Sequence, residues 1–163
     1  MKQFTMFCCL AVSLVGSSVL AQGWTDSWSG KVKVDEGRDG KGLGNAVDIT
    51  KNNDGTWTAD LWGAIETWTF TDGTYVFVDK QSGGKVTATK VPDLSTVPGL
   101  KNYSSDNTKA YTFQGCEGDS AFCADYSDGI VWAFAKVDGA NHFIITYTLP
   151  DGTPRLLVAI EDK

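Results

Sequence analysis

Six glycine-bearing turn signals cut this chain into short segments. They are Asn53-Asp54-Gly55, Asp72-Gly73, Ser82-Gly83-Gly84, Asp128-Gly129, Asp138-Gly139 and Asp151-Gly152. Glycine adopts positive φ at little cost, and Asp or Asn tolerates it, so each signal suits a tight hairpin. The runs between them are rich in Thr, Val, Ile, Trp, Tyr and Phe, residues that fit a pleated strand. Several runs alternate with period two. Trp57, Ala59 and Leu61 oppose Thr56, Thr58 and Asp60. Trp68 and Phe70 oppose Thr67, Thr69 and Thr71. Tyr111 and Phe113 oppose Ala110, Thr112 and Gln114, and Leu156, Val158 and Ile160 end the chain in the same way. Such alternation gives a strand one buried and one wet face. No stretch shows a helical period. The pattern predicts an all-β protein, a single antiparallel meander barrel whose closure removes the sheet edges, with a β-sandwich as the alternative.

Two segments depart from that pattern. From Ile130 to Val137 both faces are apolar: Ile130, Trp132 and Phe134 on one, Val131, Ala133, Ala135 and Val137 on the other. One face should lie inside the barrel, and a loop or a partner should cover the other. The second segment runs from Pro92 to Asn107. It holds Pro92, Pro98 and Gly99 and then a polar run, and is expected to be a long loop between two halves of the sheet. Arg38 to Gly44 reads as a shorter, Gly-rich loop.

Residues 1–21 read as a signal peptide. Lys2 precedes an uncharged apolar or small-residue run from Phe4 to Leu20, and Val19-Leu20-Ala21 suits cleavage after Ala21. The run is broken by Ser13, Gly16, Ser17 and Ser18 and is short for a membrane span. Cleavage of the 163-residue chain would leave 142 residues, 22–163, as one domain large enough for its own core. Loss of Lys2 takes the formal charge from −6 to −7. A net-acidic secreted domain argues against nucleic acid as a partner and against binding to or insertion into anionic membranes.

Cys8 and Cys9 would leave with the signal peptide. Cys116 and Cys123 remain, with six residues between them, and in an oxidising compartment should form a disulfide. Asn102-Tyr103-Ser104 is the only N-x-S/T sequon. Its place in the polar loop predicts glycosylation of Asn102 if the source is eukaryotic.

Signatures of common catalytic chemistry are missing: no G-x-S-x-G, no H-E-x-x-H and no phosphate-binding G-x-x-x-x-G-K. Gly118-Asp119-Ser120 resembles the sequence around serine-protease nucleophiles, but Ala121 and Phe122 follow it, and the one histidine, His142, comes later. Glu117, Asp119, Asp125 and Asp128 gather acids near the disulfide without EF-hand spacing. One histidine is too few for a histidine-based zinc site. No catalytic residue, metal or cofactor is therefore assigned. Glu66, on the strand face of Trp68, leaves a small glycoside-active enzyme as a third functional reading.

Aromatics are the compositional anomaly. Residues 22–163 hold six Trp, five Tyr and six Phe. Apolar ligand pockets are typically lined by aromatic side chains with a few polar groups, and an eight-stranded barrel has room for one small ligand. The leading expectation is a secreted carrier for a small, mostly apolar ligand. Trp57, Trp68, Phe70, Phe77, Phe113, Trp132 and Phe134 are the candidate lining, with Trp132 central. The alternative is an extracellular carbohydrate-binding or matrix module that stacks sugars on exposed aromatics.

Three patches are similar to the lipocalins, or more distantly the wider calycins. Trp24 and Trp28 open the first strand. Ala124-Asp125-Tyr126 precedes the apolar run from Ile130, as the family's Thr-Asp-Tyr turn does. Arg155, in Gly152-Thr153-Pro154-Arg155, resembles the late arginine that packs across the first-strand tryptophan. The resemblance implies a meander barrel with an internal ligand. The chain departs from the family in three ways. Asp26 or Gln22 stands where a Gly precedes the tryptophan, Ala124 replaces Thr, and no room follows Arg155 for a C-terminal helix.

Overall fold

Alternating sequence becomes alternating burial. In the computed structural model the described residues are 27–36, 44–61, 63–71, 74–79, 82–120, 123 and 129–163, apart from the side chains of 35, 36, 70 and 71. They form ten strands: β1 (Trp28–Glu36), β2 (Ala46–Lys51), β3 (Trp57–Leu61), β4 (Ala64–Thr71), β5 (Thr74–Asp79), β6 (Lys85–Lys90), β7 (Thr108–Glu117), β8 (Val131–Val137), β9 (Ala140–Thr148) and β10 (Pro154–Glu161). Each pairs antiparallel with its neighbours in sequence, and β1 pairs with β10, so the sheet closes into a barrel. The predicted signal peptide, Trp24, the Ala124-Asp125-Tyr126 turn and residues 38–43 lie outside the described residues.

The architecture is an antiparallel meander barrel compatible with a lipocalin-like fold. Its ten strands exceed the eight of a lipocalin barrel, and barrel diameter grows with strand number. Large side chains fill the extra width. Trp28, Trp57, Trp68, Tyr75, Phe77, Tyr111, Phe113, Trp132, Phe134 and Phe143 all belong to the interior cluster. Close approach of β1 to β10 requires glycine at 30: a Cβ there would lie 2.2 Å from the carbonyl oxygen of Ile160. Both strands shift register between Val32 and Val34, a bulge that bends β1 along the seam.

A second apolar cluster lies on the outer wall. Ala110, Val131, Ala133, Ala135, Ile144 and Val158 face outward from β7, β8, β9 and β10. Val91, Leu94, Val97 and Leu100 of the long loop cover them. The outer face of β8 is thus covered by a loop of its own chain. Within that loop a single 3-10 turn, Leu94–Thr96, starts at Asp93, whose carboxylate accepts from the Ser95 N–H. Three bonds anchor the loop: Val91 N–H to Ala110 O, Thr146 hydroxyl to Pro98 O, and Lys136 N–H to Asn107 O. At the other end of the barrel the Cys116–Cys123 disulfide is formed, with 5.7 Å between the Cα atoms.

Candidate functional site

The lining of the barrel follows from register. Residues paired across antiparallel strands share a face, so one interior residue identifies its partners. Trp57 pairs with Trp68, Trp68 with Phe77, and Tyr111 with Trp132; Phe134 pairs with Phe143. Trp57, Trp68, Phe77, Phe113, Trp132 and Phe134, six of the seven candidate lining residues, are buried in the interior. Phe70 pairs with Tyr75 by backbone register; its side chain lies outside the described residues.

Trp68 is the hub of the packing. Its ring lies 6.0 Å from Tyr75, 5.8 Å from Trp132, 5.4 Å from Phe134 and 5.5 Å from Phe143, centroid to centroid. In the order of the barrel, β4 and β9 stand opposite one another. Rings from opposite walls therefore meet across the axis and divide the interior into two ends. Phe77 stacks on Trp132 at 5.3 Å, nearly parallel, while Trp132 meets Phe113 and Phe143 edge-on. Edge-to-face and offset contacts of this kind are the favoured aromatic geometries.

One end carries the disulfide, Glu66 and Arg155. Glu66 is 4% exposed, and its Oε2 accepts the Trp68 indole N–H at 2.8 Å. Burial of a carboxylate among rings requires such donors. Arg155 is also buried and shares the interior face with half-buried Tyr147, its cross-strand partner.

The other end carries lysines. Lys90 pairs with Tyr111, Lys109 with Phe134 and Lys136 with Asn141. Lys109 is half-buried; burial first, then the neighbouring charge of Lys90, holds its ammonium below the usual lysine range, while Asp106 opposes this. Asn141 is 1% exposed and donates from N and Nδ2 to Glu161 Oε2 at 2.8 and 2.9 Å. Its Oδ1 has no hydrogen-bond partner among the described residues. At the same end Lys51 Nζ sits 5.7 Å above the Trp57 ring.

Outside the barrel, a groove of about 510 Å³ runs between the long loop and the wall, lined by Thr89, Lys90, Val91, Pro92, Thr96, Val97, Thr112, Gln114 and Val131. A smaller hollow of about 250 Å³ adjoins it at Thr96, Val97 and Val131. Asn102 is exposed in the loop. His142 faces outward beside Tyr103, with ring centroids 6.4 Å apart; burial lowers its pKa, while Asp138 acts in the other direction.

Sequence reasoning named neither Tyr75, Trp28 nor Phe143 as lining residues. Tyr75 sits beside Phe77 at period two, a signal present in Thr74–Asp79. Phe143 lies in a strand buried on both faces, where alternation vanishes. The lysine-bearing end has no local signature at all, because register alone brings its members together. No protein-family model, no curated protein and no solved structure matches the chain.

Proposed function

We propose that this protein is a secreted, lipocalin-like carrier that holds a small, mostly apolar molecule inside its barrel. One observation carries the reading: seven of the ten strands, β1, β3, β4, β5, β7, β8 and β9, turn aromatic rings into the interior, from Trp28 on β1 to Phe143 on β9. The packed interiors of parallel (β/α)8 barrels are dominated by branched aliphatics, which interlock. Rings meeting edge to face present flat surfaces that separate without unthreading, and the small interior residues Ala59, Ala88 and Ala159 flank them. The polar groups sit at the two ends, an arrangement that suits an apolar ligand oriented by few contacts.

The rival reading requires exposed tryptophans for stacking on sugars. Trp28, Trp57, Trp68 and Trp132, the tryptophans among the described residues, are all buried. Secretion through a signal peptide cleaved after Ala21, and glycosylation of Asn102 in a eukaryotic source, belong to the same proposal. The formed disulfide is consistent with an extracellular location. No helix among the described residues is long and apolar enough to cross a membrane, which does not bear on β-barrel spans.

The test is titration of a neutral fluorescent probe, N-phenyl-1-naphthylamine, into the protein. Saturable enhancement at one probe per chain, competed by apolar molecules and lost in Trp132→Ala, is the expected result. Absence of saturable binding, with Trp132→Ala losing only stability, would leave the rings as an ordinary core.

A further inference from the structure

The lysine-bearing end assigns a chemical class to the ligand. In a chain of net charge −6, three lysines stand at the same end of three adjacent strands, in register with the interior face: Lys109 and Lys136 are partly buried, and Lys90 is exposed at the rim, where it also borders the outer groove. Lys90 lies two residues beyond interior Ala88 and pairs with interior Tyr111. Lys109 pairs with fully buried Phe134. Lys136 lies two residues beyond Phe134 and pairs with buried Asn141. Glu161 is the carboxylate on this face, one strand beyond Asn141, and its Oε2 takes two bonds from Asn141. None of the three lysines forms an ion pair with a carboxylate among the described residues, although Lys31, Lys33 and Lys85 do so on the outer wall. Instead, Lys109 lies against Lys90 and beside buried rings, where the charged form is disfavoured. Asp106 is the acid that acts on it, and its attraction does not offset burial and Lys90 together.

An arrangement that crowds like charges at an apolar opening lowers stability unless an anion completes it. A second observation points the same way. Asn141 Oδ1 is buried on that interior face and accepts no bond among the described residues. Lys136 stands directly opposite, and its ammonium has three donors, enough for this oxygen and for a bound oxyanion. The loop that leaves β6 at Val91 turns outward over the wall, where Leu94, Val97 and Leu100 are buried. Those three side chains lie on the wall, while the far end of the loop is held at the lysine end by the bond from Lys136 N–H to Asn107 O.

We propose that this end of the barrel receives the carboxylate head of an amphiphilic ligand, a fatty acid or similar anionic lipid. This rests on the carrier reading above and gives it a ligand class. The apolar tail lies among Tyr75, Tyr111 and Phe134, next to Ala88. Trp68 and Phe143 meet across the axis, so a tail longer than this end of the barrel enters only as those rings part. The head stays between Lys90, Lys109 and Lys136.

A matched pair of ligands tests the assignment: decanoate and decanol, displacing N-phenyl-1-naphthylamine from the full chain. The wild type should bind decanoate about tenfold more tightly than decanol at low salt, and the margin should shrink as salt screens the lysines. In K90M/K109M the margin should fall to about twofold or less, with decanol affinity unchanged. K136M, at a separate strand end, should reduce it as well. Equal binding of the two ligands by the wild type overturns the head-group assignment and leaves interior binding standing. So does a K90M/K109M variant that keeps its preference. Failure of both ligands, and of the probe, overturns interior binding itself and this inference with it.

Discussion

The two apolar regions of the barrel are built from different residues, and the contrast has a geometric cause. The interior cluster reaches right round the barrel and takes ten of its eighteen buried members from aromatic residues. The buried sheet residues of the outer cluster are aliphatic, lie on β7 through β10 with Val34 of β1 packed beside them, and are rich in alanine: Ala110, Ala133 and Ala135. A ten-stranded lumen is wide, and only rings such as Trp68 and Phe143 reach each other across it. On the outer wall the covering loop must come close to the sheet, and small side chains allow this. Gly99 shows how close: a Cβ there would lie 3.1 Å from Leu156 Cδ1. One region is fixed by a closed wall, the other by a strap with a few anchors.

Removal of the central ring should have the largest effect. Trp68→Ala deletes a side chain of 0% exposure that touches four other rings and holds the Glu66 carboxylate. It should cost about 3–5 kcal/mol in urea unfolding. A loss below roughly 1 kcal/mol would mean that the interior is not packed as a unit. Leu100→Ala probes the strap. Leu100 is also fully buried, and its truncation should cost about 2–3 kcal/mol. Here amide exchange should rise in residues 91–107 while near-ultraviolet circular dichroism from the interior rings stays unchanged. Equal loss of both signals would show that the two regions unfold together.

Cys116→Ser with Cys123→Ser removes the cross-link at the end away from the lysines. The loop is short, and the stability loss should be about 2–3 kcal/mol. Reduction of the native protein should add the mass of two hydrogens, and alkylation of both thiols without reduction would refute the link. The smallest effect concerns His142, between strap and wall. Its folded-state pKa lies below 6.5 because burial disfavours the charged ring. Its contribution to stability is therefore present above pH 6.5 and is lost as pH falls through the lower, folded value. His142→Gln should flatten that part of the stability profile, as read by strap-region exchange between pH 7 and pH 5. An unchanged slope would move the pH response elsewhere.

Much of the wall could be read from the chain. Trp57-Ala59-Leu61 and Tyr111-Phe113 alternate because one side of each strand faces rings and the other faces water. The two-faced run of β8 likewise announced a covered outer surface. Closure was legible only as the way a meander of this kind removes its edges; strand number and register were not, because they are set by pairings between distant segments. Lys90, Lys109 and Lys136 look like ordinary strand-end lysines in sequence. Only their register with Tyr111, Phe134 and Asn141 gathers them at one rim of the barrel. Glu66 was visible beside Trp68 as a shared strand face, but its capture by the indole N–H is a matter of packing.

The seam between β1 and β10 has a consequence in time. Every other strand pair joins neighbours in sequence, so each can form as a local hairpin or across one loop. The pairing of Gly30 with Glu161 instead joins the two ends of the meander, and its closure entropy is paid last. The barrel should assemble as an open, curling ribbon and close in a final slow step. Until then it exposes two unpaired edges and a half-wetted row of rings, the form most prone to stick to its own copies. Gly30→Ala, which forces a methyl against the Ile160 carbonyl and to within 2.9 Å of the Trp28 ring, would weaken that last contact. Its signature would be faster opening with little change in the rate at which the ribbon first forms.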